Sequence, residues 1–213
     1  MKGILMMRGL LPLALFAMLI GSAVQETWAG QKRFVIVPPT TVSFTSDAPI
    51  ELIKGQTQHL EGTIRYDDRF VFSQRHPFEI HFNVPLNTLD TGIPLRNEHM
   101  RERFLETSRY PNVVFKVNQV VTQAKPPFRK GQVIHLTALG DFSLHGRTVK
   151  KKVPLTITYG SNASAKEVIR IQGKFPVALA EHGIQRPEAL FQKLAETVYV
   201  DVDTYAHLES PSK

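Results

Sequence analysis

Hydrophobic residues along most of this chain recur at every second position. Phe78, Ile80, Phe82, Val84 and Leu86 alternate with Pro77, Glu79, His81, Asn83 and Pro85. Alternation of this kind places the two sets on opposite faces of a strand, so the apolar set marks a buried face. Pro85, which has no N–H to give a neighbouring strand, marks an edge or a strand end. The same signal returns in Leu60, Gly62, Ile64 and Tyr66, and in Val113, Phe115 and Val117, a strand running to Val121. Ile134, Leu136, Ala138, Phe142 and Leu144 share a face, with His135, Thr137, Asp141, Ser143 and His145 mostly on the other. Val153, Leu155, Ile157 and Tyr159 return from a turn at His145–Thr148; Ile169, Ile171, Gly173, Phe175 and Val177 follow. Val198, Val200, Val202 and Thr204 close the series, with Tyr199, Asp201, Asp203 and Tyr205 facing out.

The N-terminal side is less regular. Phe34 to Val37 reads as a short first strand ending in a corner at Pro38-Pro39, and Val42, Phe44 and Ser46 share one face of a second. Ile50 to Gly55 fits a helical turn or a bulged strand equally well. Tyr66 to Arg69 reads as a turn, and Ala124 to Gly131 as a loop.

One long stretch breaks the period. After a turn at Asp90-Thr91-Gly92, Pro94 suits the first turn of a helix, where its missing N–H would be unpaired anyway. Leu95, Met100, Phe104 and Leu105 form a short apolar stripe over about 94–106, and Tyr110-Pro111 ends it. Pro187 to Leu194 reads as a second short helix. About eight strands, few helices and hairpin-sized connections predict an all-β fold, an antiparallel barrel with the 94–106 helix as its plug or lid. At that strand number the interior is either filled by side chains or holds one small ligand.

The first residues follow a different rule. Lys2 and Arg8 precede an apolar run from Gly9 to Ile20, and small residues follow, with Ala29 or Ala23 at the cleavage position. This predicts a secretory leader over 1–29, exported to the periplasm, and one domain over 30–213. An uncleaved membrane anchor is the alternative, although the apolar run is short of the ~20 residues a span needs. The 213-residue chain contains no cysteine, which excludes disulfides, thiol catalysis, thiolate metal sites and a lipoprotein anchor. Its formal net charge is +7. Anionic headgroups or phosphates would suit that charge, and so would plain solubility; no nucleic-acid-binding motif accompanies it.

Catalytic chemistry finds little support. None of the eight histidines stands at H-x-H or H-x-x-x-H spacing, and no G-x-S-x-G or glycine-rich phosphate loop occurs. His81 and His135, outward on their strands, could meet only through the fold. Asp201 and Asp203 share an outward face and read as solvated acids. No catalytic or metal residue is assigned.

The inward set is large and apolar: Phe44, Leu60, Ile64, Phe78, Ile80, Phe82, Phe115, Leu136, Phe142, Ile157, Phe175 and Val200, joined by Met100 and Phe104 from the helix. Every barrel has such a face, so the pattern alone leaves a ligand cavity and a filled core both open.

Two stretches carry a resemblance. Asp90-Thr91-Gly92, Arg96-Asn97-Glu98-His99-Met100, Phe104-Leu105, Tyr110-Pro111 and Phe115 form one ordered set. Gly140 to Thr148, GDFSLHGRT, fits a second pattern of glycine, alternating apolar positions, glycine and threonine. Together these resemble the YceI family, lipocalin-like periplasmic proteins that bind polyisoprenoid lipids. The N-terminal strands and Glu181-His182-Gly183-Ile184 agree, and the likeness runs from about Phe34 to Tyr205. Thr40-Thr41 departs from it, standing where many relatives carry a histidine, and Lys150-Lys151-Lys152 is unusually basic.

The resemblance implies a non-catalytic carrier holding a long-chain isoprenoid lipid or quinone among the inward residues named above. No cofactor is required beyond that passenger. Arg96 and Arg103 are the candidate head-group contacts, although Arg96 and His99 also suit tying the helix to the barrel. Brief contact with an anionic membrane surface and a homodimer are further expected partners. A filled barrel acting as an interaction protein of the cell envelope is the alternative, and a histidine-metal enzyme a weaker one.

Overall fold

The structure, a computed structural model, describes residues 31–67, 78–125, 127–161, 167–186 and 193–209. The leader expected at 1–29 and nearly all of the second helix expected at 187–194 lie outside those residues.

Among the described residues, period-two alternation becomes nine antiparallel strands. They are β1 (Gln31–Asp47), β2 (Leu52–Thr57), β3 (Glu61–Asp67), β4 (Glu79–Pro85), β5 (Asn112–Thr122), β6 (Val133–Leu144), β7 (Arg147–Ser161), β8 (Glu167–Ala178) and β9 (Thr197–Leu208). From β3 to β9 each strand pairs with the next, and β9 returns to β1. β1 also pairs with β3, so eight strands close into a barrel and leave no open edge between first and last. The ninth, β2, lies beside the C-terminal half of β1, from Val42 opposite Thr57 to Asp47 opposite Leu52.

Two expectations are corrected here. The corner at Pro38-Pro39 does not divide two strands. β1 runs through it as one 17-residue strand, with a cis Pro38–Pro39 bond and a register shift against β9 between Val37 and Thr41. Pairing with β9 on both sides of the prolines holds the strand together, and the bulge absorbs the missing N–H groups. Of the undecided segment at 50–55, Leu52 to Gly55 belong to β2 and Ile50-Glu51 lie in the loop before it, and Tyr66-Asp67, expected to open a turn, still belong to β3.

The predicted lid is present. Pro94–His99 form α1, with Pro94 in its first turn, and Met100–Phe104 extend it as a single π turn. A 3-10 turn, Leu179–His182, follows β8 and ends on Gly183. Among the described residues no helix is long and apolar enough to cross a membrane.

A core of inward side chains runs the length of the barrel, and one end is plugged. Phe34, fully buried, stacks on Tyr66 with ring centroids 6.3 Å apart and meets Tyr159 edge-on. The Tyr66 and Tyr159 hydroxyls hydrogen-bond each other, and Phe128 packs on Tyr159 at 5.3 Å. Offset and edge-on ring contacts with satisfied hydroxyls make a dense stopper.

Candidate ligand-binding site

Beyond that stopper the barrel is hollow. A cavity of about 630 Å³ occupies the half bounded by the C-terminal half of β1, β2, the end of β4, the start of β5, the β6–β7 hairpin end, the end of β8, the start of β9 and the lid. A second void of only about 50 Å³ lies towards the stopper. Phe82, Leu155 and Ile171 line both and form the layer between them. The larger volume falls within the usual range for small-molecule sites.

Period two explains the wall. Most residues aimed inward are aliphatic or aromatic, Thr204 on β9 being a polar exception in the wall, so the cavity meets Phe44, Leu60, Phe82, Val84, Phe115, Phe142, Leu155, Phe175, Val200 and their neighbours. Phe142 makes edge contacts with Phe175 at 5.9 Å and His182 at 5.4 Å, which hold its ring upright in the wall. Gly55, paired with Phe44 across β1–β2, has no side chain for a reason. A Cβ there would come within 2.4 Å of the Phe44 ring.

Met100, Phe104 and Leu105 close the cavity from the lid side, with Leu86, Leu89, Ile93 and Leu95 from the segment before it. Backbone bonds between Gln56 and Asp90, 2.9 Å in each direction, join the lid to β2. Asn97 Oδ1 accepts from the Thr91 amide and hydroxyl, both at 2.8 Å, while its Nδ2 donates to Asp90 Oδ1 at 2.6 Å. These bonds favour a charged Asp90: the Asn97 hydrogen bond first, then the Gly92 amide, hold its carboxyl below the ordinary range. Arg101 Nη2 donates to the Leu89 carbonyl at 2.9 Å.

Ionisable groups reach this cavity only at its lid end. Among the described lining residues they are Glu51, Arg96, His99 and Lys193. Arg96 Nη2 donates to Glu51 Oε1 at 2.5 Å, joining the lid to the loop before β2. The interior is thus a place to bury hydrocarbon, with charges able to orient a polar end at the rim.

Below the lid, Gly146 and His145 form the two-residue β6–β7 turn, both with positive φ (72° and 51°), as a type I′ hairpin requires. His145 hydrogen-bonds the His182 carbonyl at 3.0 Å and Glu106 Oε1 at 3.2 Å. His182 itself is fully buried, and neither ring nitrogen has a well-formed hydrogen bond. Burial pushes its pKa below 6.5, helped by Lys151 and opposed by nearby backbone and by Glu181.

A family model for the YceI-like domain matches residues 37–206, most of the chain. The chain belongs to the YceI-like family. Solved structures of similar fold include a polyisoprenoid-binding domain from Saccharophagus degradans, at 18% identity and a TM-score of 0.65, covering 83% of this chain and 98% of that one. BcnA from Burkholderia cenocepacia is 14% identical, with a TM-score of 0.60 and coverage of 78% and 95%. A YceI protein from Campylobacter jejuni is 12% identical, with a TM-score of 0.59 and coverage of 74% and 86%. No match was found among curated proteins.

The YceI-like signature residues are mostly structural in this chain. Arg96 and Asn97 tie the lid to the loop before β2 and to the Asp90–Gly92 turn, while Met100, Phe104 and Leu105 form the cavity's cover. Of the residues expected to meet a ligand, Phe44, Leu60, Phe82, Met100, Phe104, Phe115, Phe142, Phe175, Val200 and Arg96 line the large cavity. Ile64, Ile80, Leu136 and Ile157 line the small one, nearer the stopper. Phe78 lines neither and packs, half-buried, on the core.

Arg103, on the π turn, is exposed and does not line the cavity wall. Glu51, His99, Ile93, Leu95 and Lys193 were missed. Glu51, Ile93 and Lys193 lie outside the strands and α1, where no period assigns a face, while Leu95 and His99 lie on α1, whose short stripe did not show which of its residues reach the interior.

His81 and His135 do not come together as a metal site. Each bonds a threonine on a neighbouring strand, Thr63 at 3.1 Å and Thr156 at 3.2 Å. Among the described residues no group of three metal-binding side chains occurs. Asp203 is held by Arg170, at 2.5 and 2.8 Å, and by Gln172 at 3.3 Å. The Arg170 bond chiefly keeps its carboxyl below the usual range.

Proposed function

We propose that this protein is a non-catalytic carrier that holds one long-chain lipid, of the isoprenoid or quinone class, in the hollow half of its barrel, and that it does so in the periplasm. The observation that carries this reading is the 630 Å³ cavity with its aliphatic and aromatic wall and charges confined to the lid end. Burying a methylene is worth ~0.8 kcal/mol, so each five-carbon unit offers roughly 4 kcal/mol gross. Lost freedom of the chain takes back part of it. A head group at Arg96 would gain about 0–1 kcal/mol, the scale of an exposed ion pair. Tail burial therefore supplies affinity, and Arg96 and His99 supply orientation.

The solved relative described as a polyisoprenoid-binding domain supports the class of passenger. The leader pattern at 1–29 supports the compartment. Cavity-filling variants test the reading. Val84→Trp and Val200→Trp each put a large ring into the cavity wall, on opposite sides of the barrel. Either is expected to abolish retention of added polyprenyl lipid or quinone while leaving the β-sheet circular dichroism unchanged. Undiminished retention in both would sink the interior-binding claim.

A further inference from the structure

Seven large hydrophobic residues are exposed among the described ones, and four of them stand together at the cavity mouth. Ile50 and Leu52, 63% and 53% exposed, flank Glu51; Ile93 and Leu95, 45% and 60% exposed, precede Arg96. The 2.5 Å bond from Arg96 to Glu51 brings the two segments side by side. A single exposed leucine needs no explanation, but a cluster rimming an opening does.

Ile93 and Leu95 also line the cavity. The apolar surface therefore continues from the interior wall to the outside of the molecule. That continuity selects the occupant. A protein partner seated there would seal the opening, whereas the hydrocarbon of a bilayer would extend it. Charge agrees at long range, because the chain carries +7 and exposed Lys54 and Lys193 stand at this end. Glu51 and Asp90 are engaged by Arg96 and Asn97. Asp47 and Glu98 remain exposed here, so aliphatic insertion rather than local charge must supply most of the attachment.

We propose that Ile50, Leu52, Ile93 and Leu95 form a docking rim that seats the cavity mouth on a lipid bilayer surface. The proposal rests on the carrier reading, since a docked mouth lets an apolar passenger cross without meeting water.

The chain has no cysteine, so single probes can be placed cleanly. Leu52→Cys, at the rim and outside the cavity wall, and Val133→Cys, exposed on β6 far from it, would each carry an environment-sensitive fluorophore in the full chain. With phosphatidylcholine–phosphatidylglycerol vesicles, the probe at 52 is expected to shift to the blue and the probe at 133 to stay unchanged. The unlabelled pair Ile50→Ser/Leu52→Ser should lower the rim's partition onto those vesicles by about tenfold, read as competition against the labelled chain.

No shift at 52, or equal shifts at both positions, overturns the proposal. So does a shift at 52 that follows protein concentration without vesicles, which would assign the rim to a second copy. Lipid content measured on the same samples separates the two readings. A lipid-loaded protein with a silent probe at 52 defeats the docking rim alone; a protein that never retains lipid, yet shifts at 52, defeats the carrier reading alone.

Discussion

His182 shows how a single side chain sets a property of the fold. Its ring is fully buried with no well-formed hydrogen bond at either nitrogen, and that burial pushes its pKa below the ordinary 6.5. The unfolded chain takes up a proton as pH falls through 6.5, while the folded chain refuses it until its own lower pKa is reached. Stability is therefore unaffected above 6.5 and lost on acidification below it, by at most ~1.4 kcal/mol per pH unit for one proton. Urea unfolding followed from pH 8 to pH 5 should show this slope, and His182→Phe should flatten it. Equal slopes would mean that another group dominates. Gly146 makes a second case at this scale, because φ is +72° and a Cβ would meet the Tyr110 ring at 2.5 Å. Gly146→Ala is expected to cost about 1–3 kcal/mol, seen as a lower unfolding midpoint with an unchanged denaturant slope. Sequence pattern found the turn there, since histidine and glycine tolerate left-handed backbone. It could not find the burial of His182, which follows from the 3-10 turn folding back under Phe142.

Among the elements, the strands were legible and the lid only partly so. Inward parity from β3 to β9 is what alternation predicts, because a strand in a closed barrel must present every second residue to the core. β1 was misread at Pro38-Pro39, since local chemistry signals a corner while the pairing with β9 is made by residues far away in sequence. The helix was readable from Pro94 and its apolar stripe. Its contacts were not: Arg96 on α1 lines the cavity and bonds Glu51, while Arg103 on the π turn is exposed and lines no part of it. Glu51–Arg96 holds the lid to the loop before β2, and the Asn97 bonds hold it to the Asp90–Thr91 turn. Both ion-pair side chains are about a third exposed, so Arg96→Ala should cost only about 1 kcal/mol globally. Its larger effect is expected in the lid, as faster hydrogen exchange at the Asn97 and Leu105 amides with the β6 and β7 amides unchanged. Uniformly faster exchange would place Arg96 in the core framework instead.

For the whole molecule the question is filling. Eight strands in the ring admit either a solid core or one ligand, and the same alternating pattern serves both, so this was beyond the reach of the sequence. The structure divides the barrel, with the Phe34–Tyr66–Tyr159 stopper at one end and the 630 Å³ hollow at the other. The difference comes from side-chain size and direction summed over several strands. Native mass spectrometry of the purified protein, isolated without detergent and followed by solvent extraction, tests the account most directly. A mass higher than the polypeptide by one lipid, lost on unfolding and identified in the extract as a long isoprenoid chain, is the predicted result. A bare polypeptide mass that persists after incubation with quinones and polyprenyl lipids would contradict it.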